Sequence, residues 1–191
     1  MWRYLKTLAI LASLAPVVAT AQDAPQFPLG ELTPEVPQAS PMTPPRLGQI
    51  LLALDPAAKT NGVNLWQLTV SGVTVLVVYD LNADRMRAIA AVRPAEGITA
   101  AEMTRMMQAN FDSALDARYA IAKDTLWATF IHPLAALQRD QLVVAIGQVV
   151  NLHQSYGTLY SSGLLHFNGG DSSALQRKLI DDLLAKAGKE I

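Results

Sequence analysis

The chain has 191 residues, a formal net charge of −1 at neutral pH and no cysteine. The balanced charge lacks the basic excess that nucleic-acid binding draws on, so we expect no nucleic-acid partner. The absence of thiols excludes disulfides, zinc–thiolate sites and thiolate catalysis. Hydrophobic residues make up 51% of the chain, which is ample for one buried core.

Residues 1–21 have the features of a secretory signal peptide. Two basic side chains precede an apolar run over Leu8–Val18, and a small-residue motif, Ala-Thr-Ala, ends at Ala21. We therefore expect cleavage between Ala21 and Gln22, which leaves 170 residues with a formal charge of about −3. Because no later apolar run reaches the ~18 residues of a membrane helix, the sequence predicts a periplasmic or secreted protein without an integral membrane segment after processing.

Residues 22–45 hold seven of the eleven prolines. Proline fixes φ and donates no amide hydrogen bond, so this stretch is not typical of a helix interior or a central strand. We interpret it as an extended tether. Its apolar residues Phe27, Leu29 and Leu32 leave open a short recognition motif.

Hydrophobic periodicity predicts one helix and then three strands after the tether. Apolar residues recur at helical spacing over Arg46–Leu54, and Lys59–Asn64 is predicted to be a loop. The spacing then changes to two, and turn signals separate three segments. We expect these segments to form an antiparallel meander: Leu65–Val70, Val73–Tyr79 and Arg85–Arg93.

The second half of the domain alternates helices and strands. Thr99 and Glu102 form a capping-box pattern at the start of a helix whose apolar stripe, including Met107 and Phe111, we expect to face the sheet. A hairpin turning at Lys123-Asp124 follows. The remaining predicted elements are two hairpin strands, a long helix, a short strand and a final helix, over Arg118–Ala122, Thr125–His132, Gln138–Tyr156, Leu164–Phe167 and Ser172–Ala187.

This order of elements predicts an α+β fold in which an antiparallel sheet packs against two or three helices, with an extra C-terminal strand and helix. Residues 46–191 form one predicted domain, with a core at 46–160 and a C-terminal extension at 161–191. Val73–Tyr79 and Thr125–His132 carry large apolar residues on both faces. A sheet covered on one side does not need them, so either the final helix or another subunit should cover the second face.

Three stretches resemble the type III secretion chaperone-like superfamily, which includes the Tir-chaperone and YbjN types. They are "MMQANF" at Met106–Phe111, "ARYAIAKDTLWATFIHPLAAL" at Ala117–Leu137 and "DQLVVAIGQVV" at Asp140–Val150. The resemblance covers roughly residues 47–156. It implies a domain that binds protein segments along its helix and sheet surfaces, usually as a homodimer, and it supplies no catalytic residues.

The sequence contains no recognisable catalytic or cofactor-binding motif. His132, His153 and His166 lack metal-ligand spacing, and no nucleophile elbow, dinucleotide fingerprint or phosphate-binding loop occurs. We interpret the histidines as packing residues. The predicted protein therefore has no catalytic residues, no metal and no cofactor.

Five residues are candidates for partner binding. Arg85, Arg87 and Arg93 share one face of a regular strand and form a possible basic strip, although an ordinary solvated face explains them as well. Trp66 and Trp127 lie on predicted strands as core or interface anchors.

The sequence favours a non-catalytic, exported module that binds a protein or peptide, and a homodimer is possible. Two alternatives remain open. One is an envelope enzyme whose site assembles from scattered residues, because catalytic groups need not be adjacent in sequence. The other is a structural envelope factor.

Overall fold

The computed structural model describes residues 40–112, 115–157 and 174–188, which belong to one compact unit spanning residues 38–191. The predicted cleavage site at Ala21 and Gln22, residues 22–39 of the tether and the strand predicted at Leu164–Phe167 lie outside the described residues. Four helices and a six-stranded antiparallel sheet form the α+β fold that the sequence predicts.

The sheet has the strand order β1-β2-β3-β4-β6-β5, and every neighbouring pair is antiparallel. Its strands are β1 (Lys59–Thr60), β2 (Leu65–Val70), β3 (Val73–Asp80), β4 (Arg85–Pro94), β5 (Arg118–Ala122) and β6 (Thr125–His132). The predicted meander and second hairpin are confirmed. Strand β1 lies where the sequence predicts a loop. Its two residues form a strand only because they pair with Trp66 and Gln67 of β2.

Two tight turns set the register of the hairpins. Ser71-Gly72 joins β2 to β3 with φ of 49° and 80°, and Lys123-Asp124 joins β5 to β6 with φ of 49° and 56°. Two consecutive positive φ values match the twist of the flanking strands and fix which residues pair.

The helices are α1 (Pro44–Leu54), α2 (Ala100–Asp112), α3 (Arg139–Ser155) and α4 (Ala174–Ala187). Helix α1 begins at Pro44, two residues before its predicted start. Proline is tolerated in the first turn of a helix, because the backbone N–H that it lacks would have no partner within the helix there. Helix α2 has the predicted capping box: the Thr99 amide donates to Glu102 Oε2 at 2.8 Å, and the Glu102 amide donates to Thr99 Oγ1 at 3.2 Å. No helix in the described ranges is long and apolar enough to cross a membrane.

Helix α3 lies across one face of the sheet, here called the core face, and contacts β3, β4, β5 and β6. Its apolar residues Leu142, Ile146, Val149 and Val150 are buried. Helix α4 packs on α3 and α1 rather than on the sheet. Gly147 permits this approach, since a Cβ there would lie 2.7 Å from Ile180 Cγ1.

Asp55 ties the end of α1 to the sheet. Its carboxylate accepts hydrogen bonds from the Thr69 amide of β2 at 2.8 Å and from the Ala57 amide at 2.9 Å. These two bonds, the one from Thr69 above all, hold the pKa of Asp55 below its ordinary value. Helix α1 is thereby anchored to β2 at its C-terminal end.

Helix α2 packs against the edge strand β5, and this corrects the expectation for its apolar stripe. Met106 and Ala109 are buried, whereas Met107 is 49% exposed and Phe111 is 69% exposed. The sheet-facing prediction for Met107 and Phe111 is wrong, because a helix beside the edge strand buries a narrower stripe than one lying across the sheet.

Two amide side chains hold the entry to β5. The Tyr119 amide donates to Asn110 Oδ1 at 2.7 Å, and Asn110 Nδ2 donates to the Tyr119 carbonyl at 3.2 Å. Buried Gln148 of α3 accepts from the amides of Asp116 and Ala117 at 3.2 and 2.9 Å. These bonds satisfy backbone groups that a strand edge would otherwise leave unpaired.

Ile146 and Phe111 provide a direct test of this packing. Ile146→Ala should lower the free energy of unfolding by about 2–5 kcal/mol, since it empties a fully buried site. Phe111→Ala should change it by about 0.5 kcal/mol or less, as expected for an exposed side chain. Urea unfolding followed by circular dichroism measures both, and a larger loss for Phe111→Ala than for Ile146→Ala would contradict the fold.

Candidate functional site

The sheet face opposite to α3, here called the outer face, carries apolar side chains at its centre. Strand register places Leu76, Ile89 and Thr129 in one row, and Val78, Arg87 and Ile131 in the next. A third row contains Ala91, Trp127 and Ala120. Ile131 is 54% exposed, and Leu76, Val78, Ile89 and Trp127 are half-buried.

Helix α4 does not cover this face. It contacts α3 and α1, and its buried residues Ile180, Leu183 and Ala187 point into the helical layer. The expectation that the final helix covers this face is therefore wrong for the described part of that helix, residues 174–188. In the part of the chain that the structure describes, no helix lies over the centre of the outer face.

A shallow groove of about 490 Å³ crosses the outer face over β4, β6 and β5. Its lining is apolar apart from one threonine and two cationic side chains: Arg87, Ile89, Ala120, Ala122, Lys123, Trp127, Thr129 and Ile131. The alanines of β5 leave space beside the indole of Trp127, so the groove follows β6 along its length.

The indole of Trp127 is fixed in this groove by its own hairpin. Its Nε1 donates to the carbonyl oxygen of Ala122 at 3.0 Å. The hydrogen bond satisfies the polar edge of the ring and leaves part of the apolar face exposed. Trp127, a predicted partner-binding residue, is therefore placed on the outer face as a rigid anchor.

Arg85 and Arg87 lie on the outer face and are exposed, as predicted. Arg93 does not share their face, and this part of the basic-strip prediction is wrong. The register between β4 and β6 shifts between Ala91 and Arg93, so Ala91 pairs with Trp127 whereas Arg93 pairs with the core residue Leu126. A bulge inserts one residue and reverses the alternation beyond it.

The half-buried Arg93 guanidinium serves the helical layer instead. It donates to the carbonyl oxygens of Pro94 and Glu96 at 3.0 and 2.9 Å, and it lies 3.5 Å from the hydroxyl of Tyr156, the residue that follows α3. The amide and hydroxyl of Thr99 hold the pKa of Glu102 below its ordinary value, with a smaller contribution from Arg93.

Trp66 is also remote from the outer face. It pairs with the core residue Val77, and its ring packs on Gly48 of α1, where a Cβ would lie 2.7 Å from Trp66 Cζ2. Trp66 therefore fixes α1 on the sheet. The two tryptophans look alike in the sequence and differ in role because they face opposite sides of the sheet.

A second groove, of about 510 Å³, lies between the end of β6 and the first turns of α3. His132 borders it, with its Nδ1 2.8 Å from the Pro133 carbonyl oxygen and its ring stacked on Phe130. His153 lies on α3, while His166 is outside the described residues. The described part of the chain contains no group of three or more His, Cys, Asp or Glu side chains that could hold a metal ion.

Sequence reasoning missed Lys123 and Ile89 as groove residues. The sequence predicts Lys123 only as a turn residue, although the predicted hairpin places that turn at one end of β6. Ile89 lies on the same face of β4 as Arg85 and Arg87, and its partner Thr129 becomes known only with the register of β6. Pairing β4 with β6, two strands that are not consecutive, would have revealed the groove.

No family model and no curated protein matches this chain. The solved structures that are similar to it include the HopA1–SchA chaperone–effector complex, the ExsC–ExsE complex and the Yersinia pestis type III secretion chaperone SycH in complex with a stable fragment of YscM2. The identities are 8%, 10% and 14%, and the TM-scores are 0.46, 0.46 and 0.43.

The matched regions cover 58%, 58% and 56% of this chain and 91%, 90% and 97% of the respective structures. Two of the three are named as chaperones in complex with another protein. At these identities and TM-scores, what this chain binds is inferred from its own residues alone.

The two faces of β4 predict different effects for two arginine substitutions. Arg93→Gln should lower the free energy of unfolding by about 1–2 kcal/mol, because it removes several charge-assisted hydrogen bonds of a half-buried guanidinium. Arg87→Gln should change it by no more than about 0.5 kcal/mol. Equal effects in urea unfolding would contradict the bulge.

Proposed function

We propose that this chain is an exported, non-catalytic module that binds a protein or peptide through the outer face of its sheet. The observation that carries the proposal is the apolar centre of that face, where Ile131 is exposed and its apolar neighbours are half-buried, and which no described helix covers. Contiguous apolar surface on a soluble protein marks interaction sites. Burying it contributes roughly 25 cal/mol per Å² of apolar area.

The fixed position of Trp127 supports a role of the outer face in binding. Aromatic side chains in fixed positions dominate the energetics of protein interfaces. The Trp127 indole is held by the Ala122 carbonyl, so little conformational entropy is lost when a partner packs on it. Neighbouring Ile131 and Ile89 add apolar surface around this anchor.

The non-catalytic part of the proposal rests on the environment of His132 and on the lining of the outer groove. His132 is engaged with the Pro133 carbonyl oxygen and the Phe130 ring, which is a packing environment. No histidine or carboxylate side chain lines the outer groove in the described part of the chain. These are the side chains that most often act as general acids and bases.

Export is supported by the first 21 residues, which combine a basic start, an apolar run and a small-residue cleavage motif. The proposed site of action is the periplasm or the extracellular space. A second copy of the chain is the alternative occupant of the outer face, because a symmetric pair would bury the same apolar residues.

The proposal is tested with an Ile131→Ser variant and a matched Phe111→Ser control. Both residues are exposed apolar side chains, but Phe111 lies on α2 and not on the outer face. Partners are crosslinked to the tagged protein in the exported fraction, and light scattering gives the mass of the purified protein. We expect Ile131→Ser to lose the crosslinked partner and Phe111→Ser to keep it.

Light scattering separates the two occupants. A dimer that Ile131→Ser converts to a monomer shows that the partner is a second copy. Equal capture by the wild type and both variants, with no change in mass, contradicts binding through the outer face.

A further inference from the structure

Among the described residues, the cationic side chains of the outer groove have no partner of opposite charge. Neither Arg87 nor Lys123 forms an ion pair or a side-chain hydrogen bond within the described residues. The groove lining contains no carboxylate. The chain as a whole is slightly acidic, with 16 Asp and Glu residues against 15 Lys and Arg, so this positive groove is a local feature.

The two cations stand near opposite ends of the groove. Arg87 pairs with Ile131 near one end of β6, and Lys123 follows Ala122, which pairs with Thr125 at the other end. Ile131 lies six positions after Thr125 along the strand, a distance of roughly 20 Å at about 3.3 Å per residue. The apolar side chain of Ile131 lies beside Arg87 at one end, and those of Ile89 and Trp127 lie between the two ends.

This spacing selects among anionic ligands. A single-headed amphiphile, such as a fatty acid, places one anionic group beside one cation and leaves the other without a partner. An extended peptide covers roughly 20 Å with about six residues and can carry a carboxylate at each end. Its side chains alternate, so every second one faces the groove.

The cross-section of the groove fits one extended chain. A volume of about 490 Å³ spread over roughly 20 Å gives a mean cross-section of about 25 Å². A strand occupies about 5 Å in the direction of its neighbours, whereas a helix with side chains is about 10 Å across. The groove is therefore matched in width to an extended segment.

We infer that the outer groove binds an acidic, apolar peptide segment in extended conformation, with carboxylates about six residues apart beside Arg87 and Lys123 and apolar side chains on Trp127 and Ile131. This inference rests on the proposed function and specifies the chemistry of its partner. The cations select the acidic residues, and the apolar centre supplies most of the binding energy.

The test measures fluorescence polarisation of a labelled eight-residue synthetic peptide with the processed exported protein. The peptide has a glutamate near each end, separated by six positions in the chain, with leucine, phenylalanine and valine between them. A second peptide carries glutamine in place of both glutamates. The variants are Arg87→Gln, Lys123→Gln and, as a control, Arg177→Gln, an exposed arginine on α4 in the helical layer.

We expect Arg87→Gln and Lys123→Gln each to weaken binding of the glutamate peptide about three- to fivefold, as for partly exposed ion pairs. The glutamine peptide should bind the wild type as weakly as the glutamate peptide binds a variant that carries both Arg87→Gln and Lys123→Gln. Raising the salt concentration should reduce the difference between the two peptides. Arg177→Gln should bind as the wild type does.

Equal affinity for the glutamate and glutamine peptides, or an effect of Arg177→Gln as large as that of Arg87→Gln, overturns the inference. So does Arg87-dependent binding to phosphatidylglycerol vesicles without peptide binding, which makes the ligand a lipid surface. These failures differ from failure of the proposed function. If capture of a crosslinked partner depends on Ile131 but not on Arg87 or Lys123, the proposed binding function is supported and the inference of an acidic peptide ligand is contradicted.

Discussion

A β-sheet has two faces, and the described helices of this chain cover only one of them. Helix α3 lies across the core face, and α1 and α4 complete the same layer. Helix α4 packs on α3 where Gly147 admits Ile180, so its apolar residues are already used. The apolar side chains at the centre of the outer face are therefore available to a partner, and the functional proposal depends on this asymmetry.

The bulge in β4 determines which charges belong to each face. Up to Ala91 the strand alternates regularly, so Arg85 and Arg87 stay on the outer face. Beyond it, Arg93 turns to the helical layer and bonds to the loop that leads into α2. The inserted residue thus places Arg93 in the helical layer and leaves Arg85 and Arg87 on the outer face. Of these two arginines, Arg87 lines the groove.

The sequence predicts most elements of the fold because local signals agree with the tertiary structure. The turns at Ser71-Gly72 and Lys123-Asp124, the period of two in β2 and β3 and the capping box of α2 all depend on neighbouring residues. The positions of Met107 and Phe111 were not predictable in this way. A hydrophobic stripe shows which side of a helix is apolar, but not how much of the stripe its neighbour covers.

The candidate site shows the same limit. The sequence predicts large apolar residues on both faces of the strand Thr125–His132, and it predicts a basic strip that includes Arg87. Their assembly with Ile89 and Lys123 needs the pairing of β4 with β6, which joins segments about 40 residues apart in sequence. The bulge that removes Arg93 from this set is a property of that pairing.

Hydroxyl-radical footprinting of the purified protein at low concentration tests most directly whether the outer face is uncovered. Mass spectrometry compares oxidation of Ile131 on the outer face with that of Leu126 on the core face of the same strand, each normalised to its intrinsic reactivity. The account predicts strong labelling of Ile131 and protection of Leu126. Protection of Ile131 equal to that of Leu126 at the lowest concentration measured, with the protein folded, would contradict it.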